Sequence, residues 1–148
     1  MLRITMTGAP ELRAALRRGA SALRREALLG AIKEIAVRAT LQARWSIGRE
    51  NAWWAPLARR TVQEKRRLGY TGHVSATDPL LRTGRMRTSI RAGAVGLTAF
   101  VFSRDDVALW QDQGTRTIPA RHFLLPAMET AVEAGIPVIR IAWDSVWE

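Results

Sequence analysis

The sequence predicts an α+β fold, a long N-terminal helix and shorter helices packed on a small antiparallel sheet. An apolar stripe at helical spacing runs through the first third of the chain, two short β-rich segments meet at a glycine, and stretches bounded by Pro and Gly flank that pair. At 148 residues one domain is expected, and such a domain buries about 68–70% of the surface its unfolded chain exposes. Residues 1–50 hold an opening strand and the long helix, 53–134 form an α+β body, and 135–148 form a C-terminal tail.

Leu2, Ile4 and Met6 alternate with polar residues and predict a strand that turns at Thr7-Gly8. Pro10 suits the first turn of a helix. From Glu11 to about Trp45, the residues Leu12, Leu16, Ala20, Leu23, Ala27, Ala31 and Ile35 recur on one helical face. Arg13, Arg17, Arg24 and Arg38 take the other side, and Gly19 and Gly30 weaken the helix. Ser46 to Ala52 breaks the pattern, and Pro56 opens a second helix to about Leu68. Gly69 to Asp78 has almost nothing to bury and reads as an exposed loop.

A third helical segment is expected within Pro79 to Ile90, around Thr83-Gly84. Arg91 to Val95 and Leu97 to Ser103 read as antiparallel strands joined near Gly96. Asp105-Asp106 caps a helical turn through Trp110 that Gly114-Thr115 ends. A further helix fits Leu124 to Ala134, with Gly135 closing it. Over Ile136 to Trp147, Ile139, Trp143 and Trp147 fit a helix while Ile139, Ile141 and Trp143 fit a strand. Pro137, suited to a first turn, favours the helix.

Composition narrows the function. The chain has no cysteine, which excludes thiolate metal sites, thiol nucleophiles and disulfides. No apolar run approaches the roughly 18 residues of a membrane span, and the first residues lack the pattern of a secretion signal, so a protein made in the cytoplasm, without membrane contact, is expected. The formal charge is +10, carried almost wholly by arginine, since Lys33 and Lys65 are the only lysines. Such a surface attracts phosphate at low salt.

Catalysis needs a nucleophile, an acid/base pair or a metal. The two histidines, His73 and His122, lie far apart, and Asp78, Asp105, Asp106 and Asp112 show no ligand spacing with them. Asp105 and Asp106 are adjacent and so diverge on a helix or a strand, as a cap between strand and helix would. No phosphate-binding glycine loop, nucleophile elbow or dinucleotide fingerprint occurs. No enzymatic activity, cofactor or metal is expected. Of the six tryptophans, Trp53 or Trp54 and Trp110 are expected in the core, and Trp143 and Trp147, with Ile139, at an interface. Arginines cluster at 13–25, 59–67 and 82–91 without interleaved aromatics, which reads as solvated or ion-paired faces before it reads as a DNA contact.

Four segments carry a family resemblance. Trp54-Ala-Pro56-Leu57 is followed by Thr61 and Lys65 at four-residue spacing, which puts those two on one side of a helix. Leu81-Arg-Thr83-Gly84-Arg-Met86-Arg-Thr-Ser89 comes next, then Ala108-Leu-Trp110-Gln-Asp112-Gln-Gly114-Thr115, then Ile118-Pro119-Ala-Arg121-His122-Phe123-Leu124. In this order they resemble the phage virion morphogenesis, or tail-completion, family, related to the neck proteins of long-tailed phages and gene transfer agents. Met86 stands for the family's leucine, Gln113 for a common aromatic, and His122 for a second proline.

The resemblance implies a structural virion subunit at the head–tail junction, assembled in the bacterial cytoplasm into a sixfold ring of identical chains. Its neighbours would be tail-terminator or tail-tube proteins and head-closure or adaptor proteins, with channel DNA nearby and no catalysis. The loop 69–78 and the tail 136–148 are candidates to reach into adjacent subunits, and Arg121 is a candidate hydrogen-bonding anchor at an interface. A basic DNA-binding protein using its arginine faces directly is the alternative. Affinity that falls steeply with salt and is tight or sequence-selective would favour it.

Overall fold

The computed structural model describes residues 2–7, 22–49, 52–69 and 76–144. The elements in order are β1 (Leu2–Thr7), α1 (Ala22–Ser46), α2 (Arg59–Arg67), α3 (Arg85–Ser89), β2 (Ile90–Val95), β3 (Thr98–Ser103), α4 (Asp106–Gln113) and α5 (Leu124–Asp144). The fold is α+β as expected, with the strands in one antiparallel sheet of order β1-β3-β2. β3 is central, its Ser103 opposite Leu2 on one side and Ile90 on the other. The predicted hairpin is present, turned by Gly96-Leu97 with Gly96 at φ 54°, a conformation that glycine enters without strain. The opening strand also forms, as the outer partner of β3.

α1 packs along α5 and across β2 and β3. Its buried residues Leu28, Ala31, Ile32, Ile35, Ala36, Ala39 and Ala43 recur at spacings of three and four on one helical face, which Ile47 continues just past the helix end. Ala31 and Ile35 of the expected stripe are among them. Residues 8–21, with the expected helix start and Gly19, lie outside the described residues. Gly30 stays inside the helix on its exposed side. The main core joins Ile35, Ala39, Ala43 and Ile47 to Met86, Ile90, Val101, Ala108, Phe123, Leu124, Ala127, Met128 and Ala131. Ile32, Ala36 and Ala99 form a smaller cluster beside it, and Ile139 packs against both.

Two boundaries differ from expectation. α2 begins at Arg59, not Pro56, because Ala58 is still extended (φ −58°, ψ 141°) and the segment before it is held by Arg121, which bonds the Ala55 carbonyl. α5 does not stop at Gly135 but runs unbroken to Asp144, with Pro137 in its interior. An interior proline costs a helix about 3 kcal/mol, and here packing outweighs it. Glu133, whose carbonyl loses its partner to Pro137, is exposed and open to water. Gly135 is buried against α1, where a Cβ would stand 2.3 Å from Ile35 Cγ1. The residue read as a terminator is thus the point of closest helix approach.

The two helical glycines therefore make opposite predictions. Gly30→Ala meets nothing within 4 Å and is expected to stabilise the fold by about 0.8–1 kcal/mol through helix propensity. Gly135→Val is expected to destabilise it by about 1–3 kcal/mol through overpacking. Urea unfolding of both variants checks the pair, and a stabilising Gly135→Val would contradict the close approach of α1 and α5.

Candidate functional site

The four motif segments lie in loops and helix ends around the start of α5, and three of them are tied together by side chain to backbone hydrogen bonds. Arg121, buried at 4% exposure, donates from Nε and Nη2 to the Ala55 carbonyl at 3.2 and 3.0 Å, and from Nη1 to Gln111 Oε1 at 3.4 Å. Its backbone N–H bonds the Gln111 carbonyl at 2.8 Å. Burial lowers its pKa, yet a guanidinium keeps its charge in proteins. The Trp54 indole N–H donates to the His122 carbonyl at 3.2 Å, so segments 66 to 68 positions apart clasp each other in both directions. Arg121 is an anchor, but its bonds are internal. Its guanidinium is taken up within the subunit.

Asp112 is the residue that sequence reasoning missed. It is buried, and its Oδ1 accepts the backbone N–H groups of Phe123 at 2.9 Å and Leu124 at 3.2 Å. A carboxylate there satisfies otherwise unpartnered amides and opposes the positive end of α5. His122 Nδ1 lies 3.6 Å from Asp112 Oδ2, with its ring largely exposed. His73 lies outside the described residues. Phe123 is fully buried, and Pro119 is exposed.

Gly114, at φ 78°, leaves no room for a side chain, since a Cβ would meet Ala120 N at 2.8 Å and Ile118 O at 2.9 Å. Thr115 closes the same loop, its N–H bonding the Ile118 carbonyl at 2.8 Å and its Oγ1 accepting the Ile118 N–H at 3.1 Å. The Gly-Thr and Ile-Pro-Ala-Arg motifs are therefore two halves of one tight loop.

The second segment turns at Gly84 (φ 80°), which caps α3, while Thr83 Oγ1 accepts the Arg85 N–H at 3.4 Å. Met86 enters the core in the position expected of it. Ser89 Oγ donates to the Met86 carbonyl at 2.6 Å and meets Ser103 Oγ at 2.7 Å, and Ser103 Oγ accepts the Asp105 N–H at 3.1 Å. Asp105 in turn caps α4 through Val107 N–H at 3.0 Å, as its position after a strand predicts. Thr61 is exposed, whereas Lys65 on the same side of α2 is buried and donates to the Asp78 carbonyl at 2.7 Å. Burial holds the Lys65 ammonium below its ordinary value, and the Asp78 charge partly opposes that. Trp54, Pro56 and Leu57 line an open cleft of about 500 Å³ with Val62, Thr77 and Pro79.

The tryptophans divide differently from expectation. Trp54 packs on the core, but Trp110 is half exposed and Trp53 is 90% exposed. Trp110 lies on the outer side of α4, whose inner side is filled by Ala108 and Asp112. Ile139, expected at an interface, turns inward between the helices, and Trp143 is half-buried. Trp147 lies outside the described residues, as do positions 70–75 of the expected loop. Several arginines pair with carboxylates, Arg38 with Glu34 at 2.6 Å and Arg82 with Glu64 at 3.2 Å, as solvated faces do.

Among the described residues no three His, Asp or Glu side chains gather to hold a metal, and no helix is long and apolar enough to cross a membrane. No family model, curated protein or solved structure matches the chain.

Two outcomes test this site. Asp112→Ala leaves two amides at the buried start of α5 without a partner and is expected to cost about 2–3 kcal/mol, read by chemical denaturation; a loss below about 0.5 kcal/mol would show that Asp112 does not hold the start of α5. For Lys65, the folded state releases the proton before the unfolded chain does, so its charged form costs stability at neutral pH. That cost is relieved as pH rises through the lowered folded value toward 10.5. The stability of the protein relative to Lys65→Met should therefore increase with pH on the approach to 10.5, and a flat difference would contradict the burial.

Proposed function

We propose that the protein is a structural subunit of a phage-type head–tail junction, a tail-completion or neck protein that works by assembling into a ring. What supports this reading is that the motif residues act on one another. Trp54, Arg121 and the loop around Gly114 come from three segments that resemble the same family, and they meet in one hydrogen-bonded joint. Chance matches scattered along a chain have no reason to converge in this way. The role needs a rigid body that presents surfaces to neighbours, and the joint supplies rigidity where three loops and the first turn of α5 come together.

The DNA-binding alternative gains one observation. Trp45, half exposed, and its neighbour Arg44 share one groove with Arg87 and Arg91, which the fold brings from more than forty positions away. Such binding would weaken steeply with salt.

Deletion of the gene from a producing genome, with particles imaged by electron microscopy, separates the two. Separate filled heads and finished or overlong tails are expected. Normal joined particles would sink the structural reading and leave the DNA-binding one in front.

A further inference from the structure

That groove also presents exposed apolar side chains beside cations. Val37, Leu41 and Trp45 follow each other at four-residue steps along α1, and all three are more than half exposed. Leu41 and Trp45 with Leu81 form the floor of an open groove of about 900 Å³, and its charged lining is Arg44, Arg87 and Arg91, with no acidic side chain. Arg49 lies over the Trp45 ring, 3.9 Å from its centre. Arg44 donates from Nη2 to the Ile90 carbonyl at 2.7 Å, while its Nε is buried without a partner. An apolar strip edged by cations fits a segment that is both apolar and acidic.

The chain carries three such stretches with two or more carboxylates and no cation. In Asp105 to Asp112 the carboxylates of Asp105 and Asp112 are committed to capping α4 and α5. Phe123 to Ile139, with Glu129 and Glu133, belongs to α5 and the turn before it, and its apolar side is committed to the core. The third is Asp144-Ser145-Val146-Trp147-Glu148, which joins two carboxylates to Val and Trp. It cannot occupy the groove of its own subunit. α1 and α5 run antiparallel, with Gly135 against Ile35 and Ile139 beside Ile32. Asp144 thus lies toward the start of α1 while Trp45 lies at its end, about 28 Å apart along the helices at 1.5 Å per residue. Trp147 reaches at most about 11 Å beyond Asp144.

We propose that the groove receives residues 144–148 of a second copy of this chain, with Trp147 on Leu41 and Trp45 and the carboxylates on Arg87 and Arg91. Groove and segment are different surfaces, so the contact is head-to-tail and closes a ring when the rotation allows. The proposal rests on the ring reading above and specifies its contact. The junction role is tested in particles and this contact with the purified chain, so the failure of one is distinguishable from the failure of the other.

The test uses two variants of the 148-residue chain. One alters the groove, Leu41→Glu with Arg87→Glu, both exposed positions outside the core. The other alters the segment, Trp147→Ala with Glu148→Arg. In sedimentation velocity the parent is expected to self-associate and each variant alone to do so at least tenfold more weakly, with circular dichroism unchanged. An equimolar mixture should regain a dimer, because the intact segment of one variant meets the intact groove of the other. A monomeric parent, variants that associate like the parent, or a mixture that stays monomeric would each overturn the proposal. If the groove variant fails to fold, Arg87→Glu alone replaces it under the same criteria. A labelled single-stranded oligonucleotide that binds the parent and is lost in the groove variant, while the segment variant self-associates normally, would overturn it in favour of nucleic acid.

Discussion

The carboxylate of Asp112 receives two backbone amides from the first turn of a helix eleven residues further along the chain. That bond sets where α5 begins and in which direction it leaves. From this start α5 delivers Leu124, Ala127, Met128 and Ala131 into the core and brings Gly135 onto Ile35. Arg121, shortly before the turn, reaches the other way and fixes Ala55, so the extended approach to α2 and the first turn of α5 share one joint. The packing of α1 against α5 depends on this register, because a one-residue shift of α5 would bring a side chain to where only Gly135 fits.

Much of the architecture was legible because it is local. The hairpin shows itself in β-rich segments around Gly96, the cap of α4 in Asp105 after a strand, and the main face of α1 in Ala31 and Ile35. What could not be read is non-local. Gly135 and Pro137 read locally as the end of one helix and the first turn of another, and the contact of Gly135 with Ile35, on a helix far earlier in the chain, shows what the single continuous helix is packed for. Asp112 has no local pattern, since the amides it caps lie across a loop. Trp110 looks like a core residue by type, but helix periodicity gives the inside of α4 to Ala108 and Asp112. Of the candidate site, the identities of Trp54, Gly114 and Arg121 were visible in the four segments, whereas the role of Asp112 and the convergence of the segments were not.

The buried and half-buried cations share a habit. Arg121 bonds the carbonyl of Ala55, Lys65 that of Asp78, and Arg44 that of Ile90. In each of these bonds the acceptor is a neutral backbone oxygen. A carbonyl offers no compensating charge, and burial depresses the pKa of Arg121 and of Lys65, for which the Asp78 charge offsets part of the effect. In a chain of net charge +10 this leaves many of its few acidic groups for helix caps and surface pairs.

Anchoring through carbonyls has a further consequence for how the sequence can change. A carbonyl is present whatever the side chain, so Ala55, exposed, contributes only backbone to its joint, whereas Asp78, half-buried, adds to its carbonyl a charge that eases the burial of Lys65. For Ala55 the specificity sits at the donor end alone. The joint between Arg121 and Ala55 can therefore drift at the acceptor and keep its shape, provided the donor stays.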